Sequence, residues 1–140
     1  MALPADIRIS RVEAATLTGT RPRVVGRNSR RGVHGGYARD RVVRLTTNEG
    51  AAGWGWSLAE EDDARRLIGA RLCDVFDPST GTPDEHIKFD LALWDLAGVL
   101  LGEAVHGMLG DGGSHPVPLY DGSIYIDELD PDTGRDDGVE

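Results

Sequence analysis

Five arginines, Arg21, Arg23, Arg27, Arg30 and Arg31, fall between residues 21 and 31, with His34 and Tyr37 just beyond and no acidic residue from Ala14 to Arg39. A guanidinium offers a planar fork of donors that suits a carboxylate or the hydroxyls of a sugar acid. The plainer account of each of these arginines is a solvated basic loop. A grip on nucleic acid is the weaker alternative, because the chain is acidic overall and carries no recognition motif. Trp54 and Trp56, followed by Ser57, stand two residues apart and so share one face of a strand. Their indoles suit either sheet packing, the plainer role, or a wall that excludes water from a ligand.

Other reactive types do not converge. His34, His86, His106 and His115 show no helical pairing and no cysteine pattern, so a zinc site is not expected. The segment Asp130 to Asp136 has its glycine in the wrong place for a calcium loop and lacks the closing glutamate. Gly110-Asp111-Gly112-Gly113 lacks the lysine of a phosphate loop. Lys88 is the only lysine and reads as a solvated helix residue rather than a base. Cys73, the only cysteine, excludes an internal disulfide and reads as a small buried hydrophobe in a reduced, cytoplasmic protein.

The 140 residues suit one domain with a real core, and 39% hydrophobic with 28% charged residues argues against general disorder. No signal peptide and no apolar stretch long enough to span a bilayer is read, so no membrane contact is expected. The net charge of −9 is unevenly spread. Residues 1–44 hold ten arginines against three acids, whereas residues 121–140 hold eight acids against Arg135. A segregated, solvated surface is the plain reading.

The elements that would position these residues can be read from period and punctuation. Ile7 to Ala14 alternates as a half-buried strand, Gly19 to Gly36 has no period and reads as a long loop, and Arg41 to Thr47 is β-branched enough for a second strand. Asn48-Glu49-Gly50 supplies a turn, and Ala51 to Trp56 returns as a third strand, which makes a meander. Ser57-Leu58-Ala59-Glu60 fits a capping box for a helix ending near Gly69. Thr82-Pro83-Asp84-Glu85 starts another, on which Ile87, Leu91, Trp94, Gly98 and Leu101 form a stripe expected to be buried. Gly98 would admit a neighbouring backbone, Gly102 would stop the helix, and Val105 to Leu109 would add a short turn. Val117 to Tyr120 reads as a short strand, and the acidic stretch from Asp127 as frayed.

Three segments in this order carry a resemblance. Thr47 to Gly55 resembles the hairpin closing the amino-terminal sheet of mandelate racemase/muconate-lactonizing enzymes of the enolase superfamily. Ala92-Leu93-Trp94-Asp95-Leu96-Ala97-Gly98, with Leu101-Gly102 and Met108-Leu109-Gly110, resembles their capping helix and its exit. Val117-Pro118-Leu119-Tyr120 is similar to the first strand of their barrel. Ala104 departs from the proline frequent there. The resemblance spans residues 6–125 and implies an α+β fold: a three-stranded antiparallel meander on a helical bundle over residues 1–116. Residues 117–140 would be the first strand of an incomplete TIM barrel and an acidic tail.

In that family a carboxylate substrate chelates Mg²⁺ while a base removes the proton α to it, and both metal ligands and bases sit on barrel strands. This chain has no Lys-x-Lys base pair. The resemblance therefore implies a truncated lid domain of a sugar-acid or hydroxy-acid dehydratase or epimerase, inactive alone. It would bind no metal, with Mg²⁺ expected only in the full-length parent. Its contribution would be substrate recognition by Arg27, Arg30, Arg31, His34, Tyr37, Trp54 and Trp56, joined by Asp121 and Ser123 at the end of the barrel strand. The implied partners are a small carboxylate, the missing barrel and a second copy of the chain. The alternative is a stand-alone binding or assembly module, which a sizing column would reveal as a discrete monomer or dimer.

Overall fold

In the computed structural model residues 2–22, 26–28, 32–110, 116, 118–119, 129–130 and 135–136 are described. The alternating segment at the start becomes β1 (Ile9–Thr20), longer than its apolar alternation alone predicts. Two three-residue strands follow, β2 (Gly26–Asn28) and β3 (Gly32–His34), and then β4 (Tyr37–Thr47) and β5 (Ala52–Trp56). The sheet order β1-β4-β5 is the expected antiparallel meander. Val43 faces Gly55, Leu45 faces Gly53, and Arg44 faces Trp54 across the last pair. The turn between them works because Gly50 takes a φ of 88°, where a side chain would be strained.

The helices are α1 (Glu61–Leu67), α2 (Leu72–Val75), α3 (Asp90–Leu101) and α4 (Val105–Met108), with a 3-10 turn over Asp84–Phe89 leading into α3. Gly102 closes α3 in the left-handed region at φ 64°, as its position predicts. Gly98 admits the backbone, as expected: a Cβ there would sit 2.8 Å from the Glu103 carbonyl oxygen.

The start of α1 is three residues later than the sequence suggests. The capping box joins Glu60 and Asp63, whose Oδ2 accepts the Glu60 N–H at 2.8 Å. The Ser57 hydroxyl is engaged elsewhere: it donates to the Lys88 carbonyl at 2.6 Å and accepts the Ala59 N–H at 3.0 Å.

The chain divides into two compact units. The first, residues 1–17 and 40–113, holds the core. Ile7, Ile9, Val43 and Leu45 meet Leu67, Leu72, Val75, Phe76, Phe89, Leu93 and Leu96 there. Ile9 is stitched on both sides of its strand end by the loop after α1: its N–H donates to the Ala70 carbonyl at 3.0 Å, and its carbonyl accepts the Gly69 N–H at 2.8 Å. The expected buried stripe of α3 requires correction. Ala92, Leu93, Leu96 and Ala97 face the core, while Ile87 and Leu91 are 54% and 51% exposed. The reason is the partner surface: Gly53 and Gly55 meet the backbone of α3 at Leu91, Ala92 and Leu96, and that close seat sets which side of the helix turns inward.

The second unit comprises residues 18–39 and 114–140. Its long basic segment is not structureless, because β2 and β3 pair antiparallel, Arg27 opposite Val33 and Gly26 opposite His34. The Arg21 N–H donates to the Gly36 carbonyl at 2.9 Å and ties the base of that hairpin. Within the acidic tail the described residues form two short strands, β6 (Leu129–Asp130) paired antiparallel with β7 (Arg135–Asp136). Val117 and Tyr120, the ends of the expected barrel strand, lie outside the described residues.

Candidate functional site

The sequence Gly53-Trp54-Gly55-Trp56 sorts its side chains by the two-residue period of β5. Both glycines turn to α3. A Cβ on Gly53 would meet the Leu96 backbone and, at 2.6 Å, the Ala92 carbonyl oxygen; one on Gly55 would meet the Ala92 N and, at 2.7 Å, the Leu91 carbonyl carbon. Strand and helix thus touch backbone to backbone. Trp94 pins the helix from its other side, with its ring edge-on to Phe76 at 4.8 Å and 80°.

That close approach brings the Asp95 carboxylate to the strand, where Oδ2 accepts the Trp54 N–H at 2.8 Å. The tryptophans take the opposite face and remain largely open, Trp54 at 54% and Trp56 at 66% exposure. The Arg44 guanidinium lies 5.2 Å from the Trp54 ring centre and covers one face of the indole. Arg44 in turn lies 3.9 Å from Glu13 on the neighbouring strand.

Around β5 opens a mainly apolar concavity of about 960 Å³. Leu17 and Val42 of the sheet, both tryptophans, and Leu91, Trp94 and Leu109 of the helical layer line it, with Asp90 and Asp95 as its acids. Leu17, Leu91 and Leu109 were not among the recognition residues expected from the sequence. Leu91 and Trp94 belong to the periodic stripe of α3, which borders this concavity, with Trp94 also packed against the core.

Of the recognition residues expected from the sequence, the structure brings together Trp54 and Trp56. Tyr37 is 80% exposed in the second unit. Arg27 and His34 are placed by their backbones in the β2–β3 hairpin. Arg30, Arg31, Asp121 and Ser123 lie outside the described residues.

Lys88, expected as a solvated helix residue, is exposed on the 3-10 turn and also acts as a clasp. Its Nζ donates to Asp63 Oδ2 at 2.7 Å, joining the 3-10 turn to α1. Beside it Arg41 donates to Glu60 Oε1 and to the Ala59 carbonyl, each at 2.8 Å, which ties β4 to the start of α1. The Glu60 N–H and then Lys88 hold the Asp63 carboxyl below the usual range, and the Arg41 guanidinium does the same for Glu60. Asp74 is likewise lowered by the two-pronged bond from Arg71, at 2.8 Å for each prong. Cys73 is exposed, against the expectation of burial, because α2 turns Leu72 and Val75 inward instead. All of these groups serve the scaffold. Among the described residues no group of three or more His, Cys, Asp or Glu side chains is placed to hold a metal ion, so no described carboxylate cluster fits Mg²⁺. No helix among them is long and apolar enough to cross a membrane.

The antiparallel meander with α3 seated on its glycines is an α+β fold that matches an amino-terminal domain of the enolase type. No protein-family model and no curated protein matches the chain. Solved structures do. A galacturonate dehydratase from Geobacillus sp., in a mutant form complexed with Mg, is 32% identical with a TM-score of 0.74, covering 91% of this chain and 34% of that one. The same enzyme complexed with D-galacturonate and 5-keto-4-deoxy-D-galacturonate gives 32% identity, a TM-score of 0.73 and the same coverage, 91% and 34%. A mandelate racemase/muconate lactonizing protein from Geobacillus sp. Y412MC10, complexed with magnesium and tartrate, is 32% identical with a TM-score of 0.74, over 90% of this chain and 34% of that one. A member of the enolase superfamily from Agrobacterium tumefaciens is 26% identical with a TM-score of 0.54, over 76% and 38%. The chain belongs to the enolase superfamily, in its mandelate racemase/muconate-lactonizing branch. It spans about a third of the length of the relatives it matches.

Proposed function

We propose that this chain is the substrate-capping domain of a Mg²⁺-dependent dehydratase or epimerase acting on a sugar acid or hydroxy acid, and that it turns over no substrate alone. The observation that carries this reading is the 32% identity held over 91% of the chain with one third of a galacturonate dehydratase. When bound in such an enzyme, Mg²⁺ supplies positive charge to the substrate carboxylate. The part left to this chain is to bind and enclose. Arg27, Arg30 and Arg31 present forked donors for carboxylate and hydroxyl oxygens, with His34 and Tyr37 as further polar groups. Trp54 and Trp56 exclude water, a role supported by their shared face and their exposure. Asp121 and Ser123 complete the polar contacts.

The test is a chimera in which this chain replaces the matching third of the Geobacillus galacturonate dehydratase. The expected result is Mg²⁺-dependent consumption of D-galacturonate, with KM raised at least about tenfold by Arg30→Ala with Arg31→Ala. A folded chimera no more active than the remaining two thirds of the enzyme by itself would overturn the capping role. So would a KM indifferent to both arginines and to Trp56→Ala.

A further inference from the structure

Among the described residues β5 is an edge strand, with β4 on one side only. Alternate residues of such a strand present their N–H and C=O groups outward, an open template for another chain. Trp54 is one of them, since its N–H runs to Asp95 rather than to its cross-strand neighbour Arg44. By the same alternation Ala52 and Trp56 also face outward, and no bond from either N–H to a described residue is formed on that edge.

We propose that Asp95 is a cap built into the fold: it holds the central outward N–H of β5 and closes the sheet to pairing with a further strand. Three features converge on this role. The glycines at 53 and 55 let α3 come within backbone contact, the distance a short aspartate needs to reach the strand. The Phe76–Trp94 ring pair fixes the rotation of α3, so residue 95 points at β5. A carboxylate oxygen only accepts hydrogen bonds, so it satisfies an N–H and gives nothing for an incoming carbonyl to use. A neighbouring strand would have to displace a charge-assisted bond of 2.8 Å and pass a fixed negative charge.

The test is residue-resolved amide exchange of the intact chain, together with its association state. Trp54 should exchange at least about tenfold more slowly than Trp56, although both face the same edge. In Asp95→Ala that difference should vanish while Leu45 stays protected, and the chain should associate with concentration through intermolecular β-sheet, read by infrared absorption. Equal exchange of Trp54 and Trp56 in the unaltered chain would overturn the proposal, whether or not the variant folds. A folded Asp95→Ala that gains no strand pairing would overturn it as well.

Discussion

Gly53 of β5 and Leu96 of α3 meet with no room for a side chain between them: a Cβ on Gly53 would lie 2.6 Å from the Leu96 Cα. What resists there is backbone on both sides, so neither partner can rotate out of the way. Gly53→Ala should therefore cost about 3 kcal/mol, the upper end for overpacking, by forcing α3 off the sheet. Urea denaturation followed by circular dichroism checks this, with the midpoint falling and the slope unchanged. A midpoint equal to that of the unaltered chain would show that the seam is looser than it looks.

Phe76 and Trp56 make a contrasting pair of aromatics. Phe76 is buried and edge-on to Trp94, so Phe76→Ala removes core volume and should cost about 3–5 kcal/mol. Trp56 is 66% exposed, and Trp56→Ala should cost less than about 1 kcal/mol. Paired thermal melts of the two variants decide it. A larger loss from Trp56 would place that ring in the packing of the sheet rather than at its open face.

Acid should release α1 before the sheet. Asp63 and Glu60 have their carboxyls lowered in the fold by the Glu60 N–H and Lys88, and by Arg41. A lowered carboxyl contributes stability that is fully present above its unfolded value and is lost as pH falls through the folded one. The contribution of this clasp is thus complete at neutral pH and disappears in the range below ordinary aspartate and glutamate titration. Lys88→Met should move the Asp63 titration upward, toward but not to its ordinary position, because the Glu60 N–H remains. Carboxyl chemical shifts followed by NMR measure it, and an unmoved Asp63 would mean the 2.7 Å ion pair does not form in solution.

Local signals in the sequence were read correctly wherever local chemistry decides the outcome. The turn at Gly50, the stop at Gly102 and the three long strands depend on φ and on β-branched runs, both visible in a few residues. The α3 stripe shows where this fails. Period alone marks Ile87, Leu91 and Trp94, yet the core took Ala92, Leu93, Leu96 and Ala97, because Gly53 and Gly55 of the facing strand admit the α3 backbone at Ala92 and Leu96 and so set which side of the helix turns inward. The capping box slipped because Ser57-x-x-Glu60 and Glu60-x-x-Asp63 fit the same spacing, and only the fold reveals that the Lys88 carbonyl claims the serine. The β2–β3 hairpin, with three residues per strand, has too few positions to show a period. Of the candidate site, the tryptophan pair was legible from spacing. Leu17 and Leu109 were not, since they reach the concavity from distant elements that only the fold brings near β5.

The proposed division of labour gives this chain the recognition and enclosure of a substrate and leaves the reaction to the rest of the enzyme. The most direct measurement is the consumption of D-galacturonate by the purified 140-residue chain with saturating Mg²⁺, followed by NMR over hours. The account predicts no loss of substrate above a protein-free control. Product forming in proportion to the amount of chain added would contradict it.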